Sequence, residues 1–419
     1  MDLRNYGLVT ASYWGFTLTD GALRMLVLMH FHQLGYSPVQ LAFLFLLYEF
    51  CGIVTNLLGG WIGSRVGLKV TLFAGLATQV VALTMLSLVR PEWTAALSVA
   101  YVMGAQALSG IAKDLTKMSS KSAVKLLVPG DVADAAASER QLFKWVALLT
   151  GSKNALKGAG FLLGGILLGW LGFAPSLRAM AAGLALILAG GLLWLKQDLG
   201  KSKQKVKFTQ LFSKSREINL LSAARFFLFG SRDIWFVVGL PVFLKEALGW
   251  SFAGVGGFLA AWVIGYGFVQ AAAPGLVRKG GAPGGARAAS IWGGLLVLVT
   301  VGIAAAVQFD FHPVVAILGG LAVFGIVFAV NSAVHSYLIL AYTDADKVAL
   351  NVGFYYMANA CGRLVGTLLS GVLYLTAGLP GCLWTSAGFV LAAAVLASLL
   401  PKKEGARARS PGGSAPDSR

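Results

Sequence analysis

Acidic and basic side chains interrupt long apolar runs of this chain, and their types and spacing suit chemistry on anions and protons. The run beginning near Tyr6 carries Thr17, Asp20 and Arg24. Asp20 and Arg24 are four residues apart and share a helical face, so they either neutralise each other or leave Arg24 to reach an anion while Asp20 holds it or carries a proton. Glu49 lies in the next run, between Tyr48 and Phe50. A lone carboxyl among apolar residues needs either a proton or a cation, which fits a proton carrier or the partner of a buried base. Lys113, Lys117, Lys121 and Lys125 recur every four residues as one basic stripe, with Asp114 beside it and Ser109 extending the face. The following run presents Lys144, Lys153, Asn154 and Lys157. Lys121, Lys125 and Lys144 suit snorkelling towards anionic lipid, whereas Lys153 and Lys157 sit too deep for it. Antiparallel packing would bring Lys113 and Lys117 towards Lys153.

The second half repeats the theme with Arg225, Arg232 and Asp233, then Asn331 and His335, then Tyr355, Asn359 and Arg363. Arg232 and Asp233 are sequence neighbours on different helical faces and are not expected to satisfy each other. His335 is either a core histidine bonded to Asn331 or a backbone carbonyl, or a titrating group. His30 and His32 end the first run, where solvation is expected. At depth, Arg24, Lys153, Lys157, Arg225, Arg232 and Arg363 outnumber Asp20, Glu49 and Asp233. Each charge among apolar residues costs roughly 2.5–3.5 kcal/mol on insertion scales, so the surplus calls for water or an anionic ligand. Arg grips phosphate, arsenate or carboxylate bidentately, and Lys supplies a point charge. The chemistry indicated is anion binding. Its expected contacts are Arg24, Lys113, Lys117, Lys153, Asn154, Lys157, Arg225, Arg232, Asn359 and Arg363, with Asp20, Glu49, Asp233 and His335 as candidate proton carriers. No catalytic group, metal-ligand spacing or cofactor is expected. Cys51, Cys361 and Cys382 lie singly in apolar stretches and are read as small buried hydrophobes.

Groups of this kind have to be carried by membrane spans. Of 419 residues, 57% are hydrophobic and 12% charged, with a mean hydropathy of +0.75. A soluble domain carries roughly 25% charged residues, so a soluble enzyme, a disordered scaffold and a disulfide-stapled module are excluded. The net charge of +17 does not mark a nucleic-acid partner, because Lys and Arg punctuate the apolar runs rather than forming one face. About twelve runs approach the roughly 20 residues a span needs. They begin near Tyr6, Val39, Val70, Trp93, Leu142, Leu177, Asn219, Phe252, Ala288, Pro313, Val348 and Cys382. The fold class expected is therefore all-α and polytopic. With the N-terminus inside, one side collects Arg65 and Lys69, then seven bases from Lys196 to Arg216, then Arg278, Lys279 and Arg287, and finally the tail. The other side offers little beyond Arg90, Arg178 and Lys245. This bias places both termini in the cytoplasm and the chain in the cell (inner) membrane. No cleavable signal is expected, since the first run continues for a full span.

The halves resemble each other. Leu34-Gly35-Tyr36-Ser37 recurs as Leu248-Gly249-Trp250-Ser251, and Lys157, Gly160 and Gly165 recur in spacing as Arg363, Gly366 and Gly371, with Asn154 and Asn359 just ahead. The segment from Gly60 to Lys69 resembles the signature between spans two and three of the major facilitator transporters. Arg65, Gly67 and Lys69 fit it; Ser64 stands where an acid is usual and Leu68 where a second base is common. The resemblance implies two six-span halves, 1–195 and 219–400, joined by a basic cytoplasmic linker, 196–218, with a disordered tail, 401–419.

Several longer strings closely resemble the ArsJ-type organoarsenical efflux permeases of that superfamily: Tyr13 to Arg24 (YWGFTLTDGALR), His30 to Tyr36 (HFHQLGY), Gln40 to Glu49 (QLAFLFLLYE), Gln106 to Lys125 (QALSGIAKDLTKMSSKSAVK) and Phe143 to Lys157 (FKWVALLTGSKNALK). The resemblance implies export of 1-arseno-3-phosphoglycerate, a phosphorylated anion made by a glyceraldehyde-3-phosphate dehydrogenase using arsenate, and hence a functional link to that enzyme. The residue chemistry agrees, since a cation-lined path without a cysteine triad suits an oxyanion rather than arsenite. No nucleotide-binding loop is present, so a gradient would drive export; Glu49 and Asp20 motivate proton antiport. The rivals are an organophosphate:phosphate antiporter or other metabolite exporter and a non-transporting receptor or lipid-binding protein. A drug exporter is disfavoured by the cation surplus.

Overall fold

A computed structural model describes residues 3–127, 135–195, 215–279, 286–342 and 348–401. All regular structure among them is helical. Chain order gives α1 (Leu3–Gln33), α2 (Pro38–Val66), α3 (Leu68–Leu86), α4 (Ala95–Leu127), α5 (Ala135–Leu171), α6 (Phe173–Trp194), α7 (Arg216–Phe236), α8 (Gly239–Glu246), α9 (Phe252–Lys279), α10 (Ala286–Gln308), α11 (Pro313–Ala341) and α12 (Val348–Ser398). Helices satisfy every backbone polar group within one segment, as a lipid environment demands. Ten stretches among the described residues are long and apolar enough to cross a membrane. One of them, Asn351–Ser398, is two spans in succession: Gly378 at φ 63° and Pro380 break α12 into two helices. α1 is not among the ten, since Tyr, Trp, Thr, Asp20 and Arg24 dilute its apolar character. Most of the linker and all but the first residue of the tail lie outside the described residues.

The breaks are built from the sequence's own punctuation. After α1, Gly35 takes φ 81°, and the Tyr36 N–H donates back to the Phe31 carbonyl at 3.1 Å. Ser37 then caps α2 in a reciprocal box with Gln40. The second copy does the same work: Gly249 takes φ 65° after α8, the Trp250 N–H donates to the Leu244 carbonyl at 3.1 Å, and Ser251 accepts from the Gly254 N–H at 3.0 Å. Where span seven divides into α7 and α8, Ser370 Oγ of α12 accepts the N–H groups of Val238 and Gly239 at 3.2 and 3.1 Å, so these two donors are satisfied in the apolar interior.

The signature segment is less of a loop than its sequence implied. α2 stays helical through Val66, and Gly67 alone, at φ 94°, turns the chain into α3.

Packing separates lipid-facing from internal surfaces. Trp170, Leu186, Phe268 and Leu298 are more than two-thirds exposed, whereas Trp235, Tyr13, Phe16 and Phe324 are fully buried. Exposed side chains of that size are at home against acyl chains. α1 packs on α5, α7 on α12, α2 on α12 and α5 on α9, so each half of the chain holds the other through two helix pairs. At the end of the bundle that carries the α1–α2 turn, here termed the turn end, the pairs meet at backbone distance. A Cβ at Gly165 of α5 would strike the Phe252 carbonyl of α9, and one at Gly371 of α12 would strike the Pro38 carbonyl of α2. Gly160 and Gly366 lie correspondingly against α1 and α7. The spacing repeat read in the sequence is thus a contact repeat. His32 Nε2 and Glu246 Oε1, 3.6 Å apart, join the halves at the same end.

Candidate anion-binding cavity

Between the halves lies a cavity of about 260 Å³. From Arg24, Phe161 and Phe236 it extends away from the turn end to Asn56, Lys117, Lys153 and Gln270, the linker end. The closest packed helices, α1, α5, α7 and α12, supply most of its walls. Every residue expected to contact an anion lines it. Of the four expected proton carriers, Asp20, Glu49 and Asp233 line it and His335 does not.

The deepest part is a chain of five charges that crosses from one half to the other. Glu49 Oε1 accepts from Arg24 at 3.0 Å and from Arg363 at 2.6 Å. Arg363 uses its Nε to donate to Asp233 Oδ2 at 3.0 Å, and the other oxygen of Asp233 accepts from Arg232 Nε at 2.7 Å. Three guanidiniums therefore share two carboxylates. Glu49 is the partner of buried bases and not a lone carboxyl. Arg24 turns from Asp20 to Glu49, which leaves Asp20 to accept the Tyr48 hydroxyl at 2.6 Å.

The pairing of Arg232 with Asp233 corrects the expectation that sequence neighbours would not satisfy each other. Their Cβ atoms diverge by roughly 100° on a helix, but the Arg232 side chain is long enough to fold back, and a fully buried Asp233 has strong need of a second cation. The Arg232 guanidinium meanwhile lies 5.2 Å from the Phe229 ring and 5.8 Å from Phe236 and Phe328, whose faces attract cations.

The remaining cations are compensated differently. Among the described residues Arg225 finds neutral acceptors: Asn359 Oδ1 at 3.2 Å and the Ser332 carbonyl and hydroxyl at 3.1 and 3.0 Å. It also sits 3.8 Å over Phe229. Lys113 lies 4.0 Å over the Tyr48 ring. Lys117 donates to Asn56 Oδ1 at 3.2 Å and lies 3.6 Å from Asp114. Lys157, half-buried in the wall of α5, has no hydrogen bond or ion pair among the described residues. Asn154, one turn before it, reaches Gln270 of α9 at 3.5 Å.

Two expectations about histidine are overturned. Both ring nitrogens of His335 lack a partner among the described residues, so it is bonded neither to Asn331 nor to a carbonyl. The Asn331 amide turns instead towards Gly293 of α10. His30 and His32 are half-buried rather than solvated: His30 stacks on Phe173 with ring centroids 4.0 Å apart, and His32 faces Glu246. Of the cysteines, Cys382 is buried as expected, while Cys51 and Cys361 are only partly so.

Asp114, Asn56, Gln270 and Tyr266 line the cavity but were not among the expected contacts. Asp114 had been seen only as a neighbour of the lysine stripe; it is buried and accepts the Thr55 hydroxyl at 2.6 Å. Asn56 was legible, since it follows Glu49 by seven residues and so shares its face. Gln270 and Tyr266 sit four apart on a helix with no charge nearby to flag them.

The model of the Major Facilitator Superfamily matches residues 8–304 and 221–417. The chain belongs to that superfamily. It is a multi-pass membrane transporter and not an enzyme. No curated protein sequence matches it. A mutant of the nucleoside transporter NupG superposes with a TM-score of 0.70 at 14% identity, covering 94% of this chain and 98% of that one. A POT family transporter in complex with a thioalcohol-conjugated peptide gives 0.68 at 16% identity over 94% and 95%. One in complex with 5-aminolevulinic acid gives 0.69 at 16% over 95% and 96%. These likenesses establish the fold; the substrate has to be argued from the cavity.

Proposed function

We propose that this transporter exports a small phosphorylated organic anion, specifically the organoarsenical 1-arseno-3-phosphoglycerate, and so confers arsenate resistance. The observation that carries the anion class is the Lys157 side chain, without a hydrogen bond or ion pair among the described residues, in a wall whose described basic side chains exceed its acidic ones. An uncompensated cation at this depth is costly, and an anionic ligand is its natural counter-ion. The five strings shared with ArsJ-type permeases support the particular substrate, along with its supply by a glyceraldehyde-3-phosphate dehydrogenase. Arg24, Arg232 and Arg363 would grip oxyanion heads with the N–H donors that their carboxylate partners leave free, Lys157 would supply a point charge, and Lys113, Lys117 and Lys153 would guide entry. The Lys and Arg bias supports an inner-membrane protein with its linker end and both termini in the cytoplasm, so that the cavity would extend towards the cytoplasm. The halves are 1–195 and 219–400.

Everted vesicles containing the protein test this reading. Supplied outside with glyceraldehyde-3-phosphate, NAD, arsenate and the dehydrogenase, they should accumulate arsenic only when all four are present. Accumulation from arsenate alone would reduce the function to simple oxyanion export. Exchange of organophosphate for phosphate, with no arsenic uptake, would favour the metabolite-antiporter alternative.

A further inference from the structure

We infer that the membrane potential, acting on the net positive charge of the cavity, powers this export with no proton exchanged by the cavity carboxylates. The inference rests on the anion-export reading above and replaces the proton antiport expected from Glu49 and Asp20.

Every carboxylate among the described lining residues is engaged. Glu49 and Asp233 each hold two guanidiniums. Protonating either would strand buried arginines without a counter-ion, the most expensive state such a pair can adopt. Asp20 and Asp114 each accept a hydroxyl at 2.6 Å, and a proton on either would enlarge a positive excess that nothing offsets. His335, the remaining candidate, is sealed outside the lining.

The excess itself is large. Among the described lining residues basic side chains outnumber acidic ones eight to four, and setting Lys153 aside still leaves an excess of three. Its members can be named: Lys157 with no partner, Lys113 on an aromatic face, Arg225 on neutral acceptors, and the odd guanidinium of the five-charge chain less the charge of Asp20. A multiply charged anion brings the cavity close to neutrality. An empty cavity carries the excess alone.

These charges sit between the halves, beyond the backbone seal at the turn end. Alternating access would transfer them, electrically, from one side of the membrane to the other, and a charge moved through the potential gains or loses free energy in proportion to it. With the cytoplasm negative, the empty positive cavity favours cytoplasmic access. The potential therefore drives the return of the empty carrier, while the loaded, near-neutral carrier crosses with little electrical work. Net export follows, and the resting state faces the cytoplasm.

The test uses everted vesicles carrying the full chain, strongly buffered to one pH on both sides, with the dehydrogenase mixture outside. Valinomycin and a tenfold potassium gradient, high outside, make the interior positive. The initial rate of arsenic uptake should rise several-fold over vesicles with equal potassium. With the potential clamped at zero by valinomycin and equal potassium, an imposed pH gradient should drive no uptake. Uptake driven by the pH gradient under that clamp, or a rate indifferent to the potential, overturns the inference. The same vesicles are assayed with 3-phosphoglycerate and with inorganic phosphate. If arsenic stays out but either of these enters with the potential, the arsenical reading fails and the electrical one stands. If none of the three responds to the potential, the electrical one fails.

Discussion

Lys157 and Arg363 occupy matching places in the two halves, each three residues before a glycine that packs on the first helix of its own half and eight before a glycine that packs on the opposite half. Their surroundings differ completely. Arg363 holds Glu49 and Asp233 at 2.6 and 3.0 Å and ties the halves together, whereas Lys157 holds nothing among the described residues. One half ties its cation to two carboxylates; the other leaves its cation without an ionic partner among the described residues. Pseudo-symmetry of backbone thus does not imply symmetry of role.

The comparison can be broken in several ways, and the largest effect is expected at Arg363. Arg363→Ala takes one of two guanidiniums from each of two buried carboxylates and cuts the tie between the halves, a loss of about 1.5–3 kcal/mol for each charged hydrogen bond. Thermal unfolding in detergent should show a large drop in melting temperature, and transport should vanish. Lys157→Ala should also cost about a hundredfold or more in transport, on the scale of a lost charged contact of about 3 kcal/mol, but leave the melting temperature unchanged or raised, because it removes an uncompensated charge. Equal destabilisation by the two variants would erase the distinction drawn here.

Smaller effects sharpen it. Combining Glu49→Gln with Arg363→Gln also strands Arg24, yet the double variant should lose less stability than the two single losses summed, with an interaction of about 0.5–3 kcal/mol in a double-mutant cycle, while transport stays absent; strict additivity would mean the pair is not coupled. Arg225→Gln keeps a donor for Asn359 and Ser332 and loses only charge, so substrate affinity should fall about threefold to tenfold, an effect of about 1 kcal/mol, with near-normal protein levels by immunoblot. Least of all, Lys113→Gln removes a cation–aromatic contact worth about 0.5–1 kcal/mol, and its uptake rate at saturating substrate should barely change.

Much of this was legible in the chain. The spans, the two capped glycine turns and the lysine–arginine spacing repeat all appear where the pattern placed them, because hydropathy and turn chemistry act locally. The partners of the buried charges were not legible. Spacing put Asp20 and Arg24 on one face of α1, yet Tyr48 and Glu49 of α2 took them separately, and only the packing of α1 against its neighbours could decide that. Arg232 and Asp233 show the same limit from the other side: backbone direction predicted separation, and a flexible side chain overcame it. Asp114 was hidden by its setting, since four lysines in a stripe read as a surface and the acid beside them as its ornament.

The seal at the turn end is made of main-chain atoms, the carbonyls of Phe252 and Pro38 meeting Gly165 and Gly371. Ionic ties between the halves add to it, Arg363 with Glu49 deeper in the cavity and His32 with Glu246 at this end. The two glycine contacts themselves are written in backbone, an alphabet distinct from that of the cavity charges. Lining residues could be exchanged to suit a different anion while the closure that alternates access remained intact, whereas a single added methyl at either glycine would jam the closure for every cargo alike.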